Sequence, residues 1–155
     1  MHRPLSAEGI EELLTSQVFG HLACCDAGVP YIVPIAYIYH DNAIYGQTTE
    51  GRKTDILRRN PLVCFQVQQH TDCWRSVLCY GTFEELDFQK LQDNDGTMIV
   101  ELLTMRLGAI QDDIGITVPF SFKGHATPLS ADDRVSTVFR IVISEKTGRE
   151  FAPLS

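Results

Sequence analysis

Positive charge is scarce in this chain, with 13 Lys and Arg against 20 Asp and Glu in 155 residues and a net charge of −7. Four of the cations, Arg52, Lys53, Arg58 and Arg59, nevertheless fall within eight consecutive positions. Thr48-Thr49-Glu50-Gly51 precedes them and Asn60-Pro61 follows, which brackets a short helix over residues 51–59. The N-terminal end of a helix carries unpaired N–H groups and about half a positive charge. Acidic residues suit that end, so Arg52 and Lys53 there cost stability unless an anion joins them. A phosphate would bind the N–H groups, the nearby hydroxyls and both cations together. Arg58 and Arg59 need no ligand, because cations suit a helix C-terminus. A solvated charged turn is the plainer reading of Arg52 and Lys53, and local chemistry does not choose between the two.

Other chemistry-bearing residues form no comparable constellation. The five cysteines, at 24, 25, 64, 73 and 79, are odd in number and contain no CxxC pair, so free thiols in a reducing cytosol are expected. Cys24 and Cys25 are adjacent, and on a strand they point to opposite faces. Asp93-Asn94-Asp95-Gly96 resembles a calcium loop, but the alignment puts Leu91 and Leu102 where carboxylates belong. His70 and Cys73 have no second pair at metal-ligand spacing, and no metal site is assigned. His21 reads as a partly buried histidine, His40 as turn surface, and His125 as a residue that a loop could carry over a pocket. The nucleophile-elbow, zinc-protease, dinucleotide and P-loop motifs do not occur, and no catalytic residue is assigned.

The elements that must position Arg52 and Lys53 are mostly strands. Ser6 caps a helix over about 7–16, with Leu5 able to staple onto Ile10. Runs at 18–25, 31–39 and 43–48, joined by Asp26-Ala27-Gly28 and Asp41-Asn42, predict an antiparallel meander. Pro34 lies inside the second run, and proline there requires a strand with no partner on that side. Further strands follow at 62–69 and 74–86, with Gly81 at a bulge. A helix from Asn94 or Asp95 to about Leu107, apolar at Met98, Ile99, Leu102, Leu103 and Met105, is expected next. Residues 109–134 show no clear period; a connector of that length is either a functional loop or contains regular structure without a clear sequence signature. A last strand covers 135–144, ahead of a polar tail at 146–150. The fold class is mainly β (α+β): a six-stranded antiparallel split barrel with peripheral helices.

Length and a 44% apolar composition fit one domain over residues 1–155. The acidic balance argues against nucleic acid and against an anionic membrane surface. The start has no apolar signal-peptide core, and no run approaches a membrane span, so a cytoplasmic location is expected.

An ordered series of residues carries a family resemblance. Gly20-His21-Leu22-Ala23, Gly28 through Pro34, Ile44-Tyr45, Gly51-Arg52-Lys53, Leu57-Arg58-Arg59-Asn60-Pro61, Trp74-Arg75-Ser76-Val77 with Gly81, and Thr147-Gly148-Arg149-Glu150 together resemble the FMN-binding split-barrel superfamily. That superfamily includes pyridoxamine 5′-phosphate oxidase, and the chain is most similar to its small nitroimidazole-resistance-like branch. The resemblance implies an FMN cofactor whose phosphate is held at Arg52 and Lys53 with help from Thr48. It implies that the flavin lies along Val33-Pro34-Ile35-Ala36, close to Gln47, and that Trp74 and Ser76 border its polar edge. It further implies a homodimer with FMN at the subunit interface, acting as an oxidoreductase on a small-molecule substrate. Gln47 replaces a histidine common in nitroimidazole-resistance relatives, which weighs against that particular activity. Trp74 is the only tryptophan, so the C-terminal Trp of the oxidase has no counterpart and pyridoxamine phosphate oxidation is not expected. The alternative from another class is a non-catalytic protein that sequesters flavin or haem.

Overall fold

Two-residue turns set the register of the main sheet. In the computed structural model, which describes residues 2–86, 98–99, 101–106, 108–109 and 136–153, Ala27-Gly28 closes a hairpin between β2 (Phe19–Asp26) and β3 (Val29–His40). Asp41-Asn42 does the same between β3 and β4 (Ala43–Thr49). All four turn residues have positive φ, from 48° at Asp41 to 80° at Gly28. Such turns match the right-handed twist of the strands they join. The closing pairs are Asp26 with Val29 and His40 with Ala43.

Helix α2 (Arg52–Arg59), β5 (Leu62–His70), β6 (Trp74–Leu86) and β7 (Ser136–Phe151) follow. The sheet runs β7-β4-β3-β2-β5-β6, and β6 pairs back onto β7. This ring of six strands is the expected split barrel. A three-residue strand, β1 (His2–Pro4), adds to the edge of β7 at Phe151, Glu150 and Arg149. The polar stretch 146–150 is therefore not a tail. Residues Glu145–Phe151 pair with Trp74–Tyr80 of β6, so β7 is one 16-residue strand. The ladder shifts register between Tyr80 and Gly81. Gly81 is required there, because a Cβ at that position would collide with the Val142 carbonyl oxygen.

The core fills the ring and is plugged at its ends. Leu13 and Leu14 of α1 (Ala7–Ser16) and Ile56 and Leu57 of α2 join Leu22, Ile35, Tyr37, Phe65, Val77 and Phe139 in one buried cluster. Ser6 caps α1, accepting from the Gly9 N–H at 3.1 Å. Tyr37 donates from its hydroxyl to the Leu14 carbonyl at 2.6 Å, tying β3 to the end of α1. Burying each such aliphatic side chain contributes roughly 1.5–3 kcal/mol.

Residues 98–99, 101–106 and 108–109 are helical. Ile99 and Leu103, one turn apart, pack with Ile38 and Val138 on the outside of the ring. Leu102 and Met105 were expected on that apolar face but are exposed, because a single i, i+4 stripe suffices against one layer of strands. The start of that helix, the calcium-like stretch 93–96, His125 and most of the 109–134 connector lie outside the described residues. Among the described residues no helix is long and apolar enough to cross a membrane.

Candidate functional site

The ring is open along one line. Strand β3 pairs with β2 over its whole first half, from Val29 to Ala36, but meets β4 only at Tyr37–His40. Beyond Gly46, β4 continues through Gln47, Thr48 and Thr49 alongside β7 alone. The edge of residues 29–36 that faces away from β2 therefore has no strand partner among the described residues.

Hairpin geometry identifies which backbone groups lie on that edge. Val29 pairs with Asp26 at the turn, and the Tyr37 N–H donates to the Val18 carbonyl. Odd-numbered residues of β3 thus direct their N–H and C=O groups toward β2, and even-numbered residues direct theirs to the seam. Pro30 and Pro34 are both even. Neither forfeits a ladder bond, which is why β3 tolerates two prolines. Side chains follow the same alternation. Ile35 is buried and Val33 packs against the core, while Pro34 is exposed. A ligand in the seam would meet the backbone of Val33-Pro34-Ile35-Ala36 rather than its aliphatic side chains.

Helix α2 starts at one end of this seam, and its cations divide into two kinds. Arg58 donates from Nη1 and Nη2 to Glu50, at 2.8 and 2.6 Å, and also to Glu85. Arg59 donates to Asp26. Arg52 and Lys53 have no carboxylate within ion-pair distance among the described residues. The Arg52 guanidinium lies over the Tyr31 ring, 5.4 Å from its centroid. Lys53 is half-buried and close enough to Cys24 for the two to interact electrostatically. Burial pushes the Lys53 ammonium below its ordinary pKa and the Cys24 thiol above its own. Gly51 offers no side chain to cap the helix, although Thr54 Oγ1 accepts from the Gly51 N–H at 3.0 Å. Two cations with no ion-pair partner among the described residues meet the helix N-terminus at the mouth of the seam.

Not every expected site residue converges there. Thr48 is buried at the end of β4 and donates to the Thr49 carbonyl at 3.3 Å. Gln47, its neighbour, points to the opposite face of the strand. Trp74 and Ser76 lie on β6, three strands from β3, or roughly 14 Å at usual strand spacing. Ser76 is opposite Gln68 and level with the Phe19 end of β2. Within one chain neither residue reaches Arg52. Sequence reasoning missed Tyr31, Cys24 and Glu50. Tyr31 is opposite Cys24, and the alternation of Tyr31, Val33 and Ile35 could have placed it beneath the helix.

A family model described as pyridoxamine 5′-phosphate oxidase matches residues 6–150. The chain is 30% identical to a crystallised FAD-binding protein of Mesorhizobium loti, covering 98% of this chain and 99% of that one, with a TM-score of 0.74. It shares the fold of a FAD- and haem-binding protein of Mycobacterium smegmatis at 14% identity, with a TM-score of 0.68 and 99% and 76% of the two chains covered. Over 86 residues, 54% of this chain, it is 35% identical to an uncharacterised protein of Rhizobium meliloti, and the match spans 57% of that relative's length.

Proposed function

The chain belongs to the pyridoxamine 5′-phosphate oxidase family, and from that membership we propose that it binds a flavin nucleotide at the seam and works as an oxidoreductase on a small organic acceptor. The carrying observation is the pair Arg52 and Lys53, which have no carboxylate within ion-pair distance among the described residues, where α2 meets a strand edge that has no partner among those residues. The flavin's phosphate fits those cations and the free N–H groups of the helix start. The flat ring fits along the backbone of Val33-Pro34-Ile35-Ala36, where Ala36 directs an N–H and Pro34 a carbonyl toward the seam.

A flavin accepts and delivers hydride by its own chemistry. The protein's part is to hold the phosphate, align the ring against the β3 edge and exclude water. FMN satisfies every feature of the seam. FAD, as in the Mesorhizobium relative's name, shares the phosphate next to the flavin and would use the same cations.

The reading includes a homodimer. Ile32, Ala23, Cys64 and Tyr80 are mutually opposite across β3, β2, β5 and β6 on the outer face. Ile32 is 65% exposed and nearby Leu62 is 68% exposed. A contiguous apolar face of this kind suits a second copy. It would also bring Trp74 and Ser76 of one protomer to the border of its partner's flavin.

The test is a binding titration with FMN and riboflavin. Replacing both Arg52 and Lys53 with Ala is expected to weaken FMN by a few kcal/mol, since charge-assisted bonds contribute about 1.5–3 kcal/mol each. Riboflavin, which lacks the phosphate, is expected to bind native and variant proteins about equally. Unchanged FMN affinity in the double variant would sink the site assignment. Bleaching of the bound flavin by a reduced nicotinamide, with turnover when an acceptor is added, is the result expected of an enzyme.

A further inference from the structure

Two carboxylates lie in the neighbourhood of Arg52, and other arginines hold both. Asp26 is near enough to feel the Arg52 charge: the hydrogen bond from Arg59 chiefly, with a smaller share from Arg52, holds the Asp26 carboxyl below its usual range. Both Asp26 oxygens are nevertheless taken by Arg59, at 3.2 Å on Oδ1 and 2.7 Å on Oδ2. Glu50, two residues away in the chain, accepts from Arg58 on both of its oxygens, at 2.8 and 2.6 Å. What remains for Arg52 is the ring of Tyr31. The guanidinium carbon stands 5.4 Å from the ring centroid, inside the roughly 6 Å over which an aromatic face attracts a cation.

The kind of contact matters as much as its presence. A carboxylate would occupy the N–H fork of the arginine and cancel its charge. A neutral ring holds the cation through its face and leaves the charge uncancelled. Arg52 thus stays placed, charged and open to an incoming anion. Tyr31 is also a firm support. It is half-buried and packs against the main core cluster. It lies opposite Cys24, the residue that Lys53 approaches closely enough to interact with electrostatically. The two cations are therefore referred to one pair of strands, in the half of β3 that has no second partner among the described residues. An exposed arginine left to swing loses rotamer freedom when it grips a ligand. Held on a fixed ring, Arg52 gives up part of that freedom at folding instead.

We propose that Tyr31 is a positioning residue for the phosphate end of the site, its ring holding the Arg52 guanidinium at the mouth of the seam while Arg59 keeps Asp26 from drawing that guanidinium away. The inference rests on the flavin reading of the seam and deepens it. Preference for a phosphorylated flavin over riboflavin then depends in part on a neutral ring that touches no phosphate.

The full chain is titrated with FMN and with riboflavin, as the native protein and as the Tyr31→Leu, Tyr31→Phe and Arg52→Ala variants. Tyr31→Leu is expected to bind FMN about fivefold more weakly and riboflavin as before, and Tyr31→Phe to match the native protein with both ligands. Added to Arg52→Ala, the Tyr31→Leu change is expected to cost nothing further, since the two side chains act as one unit. Equal losses for both flavins, a Tyr31→Phe variant as weak as Tyr31→Leu, or a full Tyr31→Leu effect in the absence of Arg52 would each overturn the proposal. Arg59→Ala, at an exposed position, reports independently of any packing lost at Tyr31. It frees Asp26 to take Arg52, so FMN is expected to bind about threefold more weakly and to recover when Asp26→Asn is added. Native FMN affinity in Arg59→Ala, or no recovery in the double variant, also overturns the proposal. The flavin reading fails separately: if Arg52→Ala leaves FMN binding intact, the phosphate site falls and this inference with it. If Arg52→Ala weakens FMN while Tyr31→Leu binds it as the native protein does, only the role of Tyr31 is removed.

Discussion

An ammonium group taken out of water loses hydration that no single neutral hydrogen bond restores, and Lys53 is half in that condition, with its pKa pushed down by burial and no carboxylate within ion-pair distance among the described residues. A depressed folded pKa means that the charged form is the costly one, so the free protein is relieved as pH rises and Lys53 sheds its proton. A phosphate reverses the preference by supplying the missing counter-charge. Phosphate binding then takes up or retains a proton at Lys53. FMN affinity is expected to fall as pH rises through the Lys53 titration, by up to tenfold per pH unit above it. Lys53→Arg keeps its charge through that range, so its affinity should stay level where the native protein's declines. Isothermal titration at a series of alkaline pH values compares the two. A decline of equal slope in both proteins would remove Lys53 from the phosphate site.

Among the elements, α2 is the one that ties the open side of the ring together, and it does so through Glu50. That carboxylate accepts from Arg58 of α2 and from Thr137 of β7, while Arg58 also reaches Glu85 of β6. Arg58 chiefly, and Thr137 after it, hold the Glu50 pKa down to about 2. The stabilisation is present in full above the ordinary carboxylate range and drains away as pH falls from there toward about 2. The partners are half-exposed, so Glu50→Gln is expected to cost about 1 kcal/mol at neutral pH, or about 2–4 °C in Tm. The variant's stability should also fall less than the native protein's between pH 5 and pH 2, a difference that thermal melts across that range would detect. The same region shows what was legible in the chain. Ala27-Gly28, Asp41-Asn42, the Ser6 cap, the Gly81 bulge and the prolines of β3 carry local backbone demands, and each was readable. The second half of β7 was not, because Lys146-Thr147-Gly148-Arg149-Glu150 has no apolar alternation of its own. Its strand character comes from ladder bonds to β6 and from Gly148 lying close against Leu5 and Ile10. Arg52 and Lys53 were legible as cations out of place, but their lack of partners was not. That depended on Glu50, Glu85 and Asp26 taking up Arg58 and Arg59, three acids scattered along the chain.

At the scale of the whole molecule, the proposed second copy has a direct test. Ile32→Asp and Leu62→Asp place a charge in the middle of the exposed apolar face without touching the core. Each is expected to shift the protein to monomer in size-exclusion chromatography with light scattering, and to loosen flavin retention if Trp74 and Ser76 serve the neighbouring protomer. A native protein that runs as a monomer would end the dimer reading and leave the seam untouched. The open line between β3 and β4 has one more consequence. A barrel ordinarily escapes the hazard of sheet edges by closing on itself, whereas here one side of the first half of β3 has no strand partner among the described residues. Pro30 and Pro34 remove two of the four amide donors that an added strand would need there. The two proline rings thus lower the capacity of this edge to pair with a foreign strand, while its carbonyls stay available to a ligand in the proposed seam.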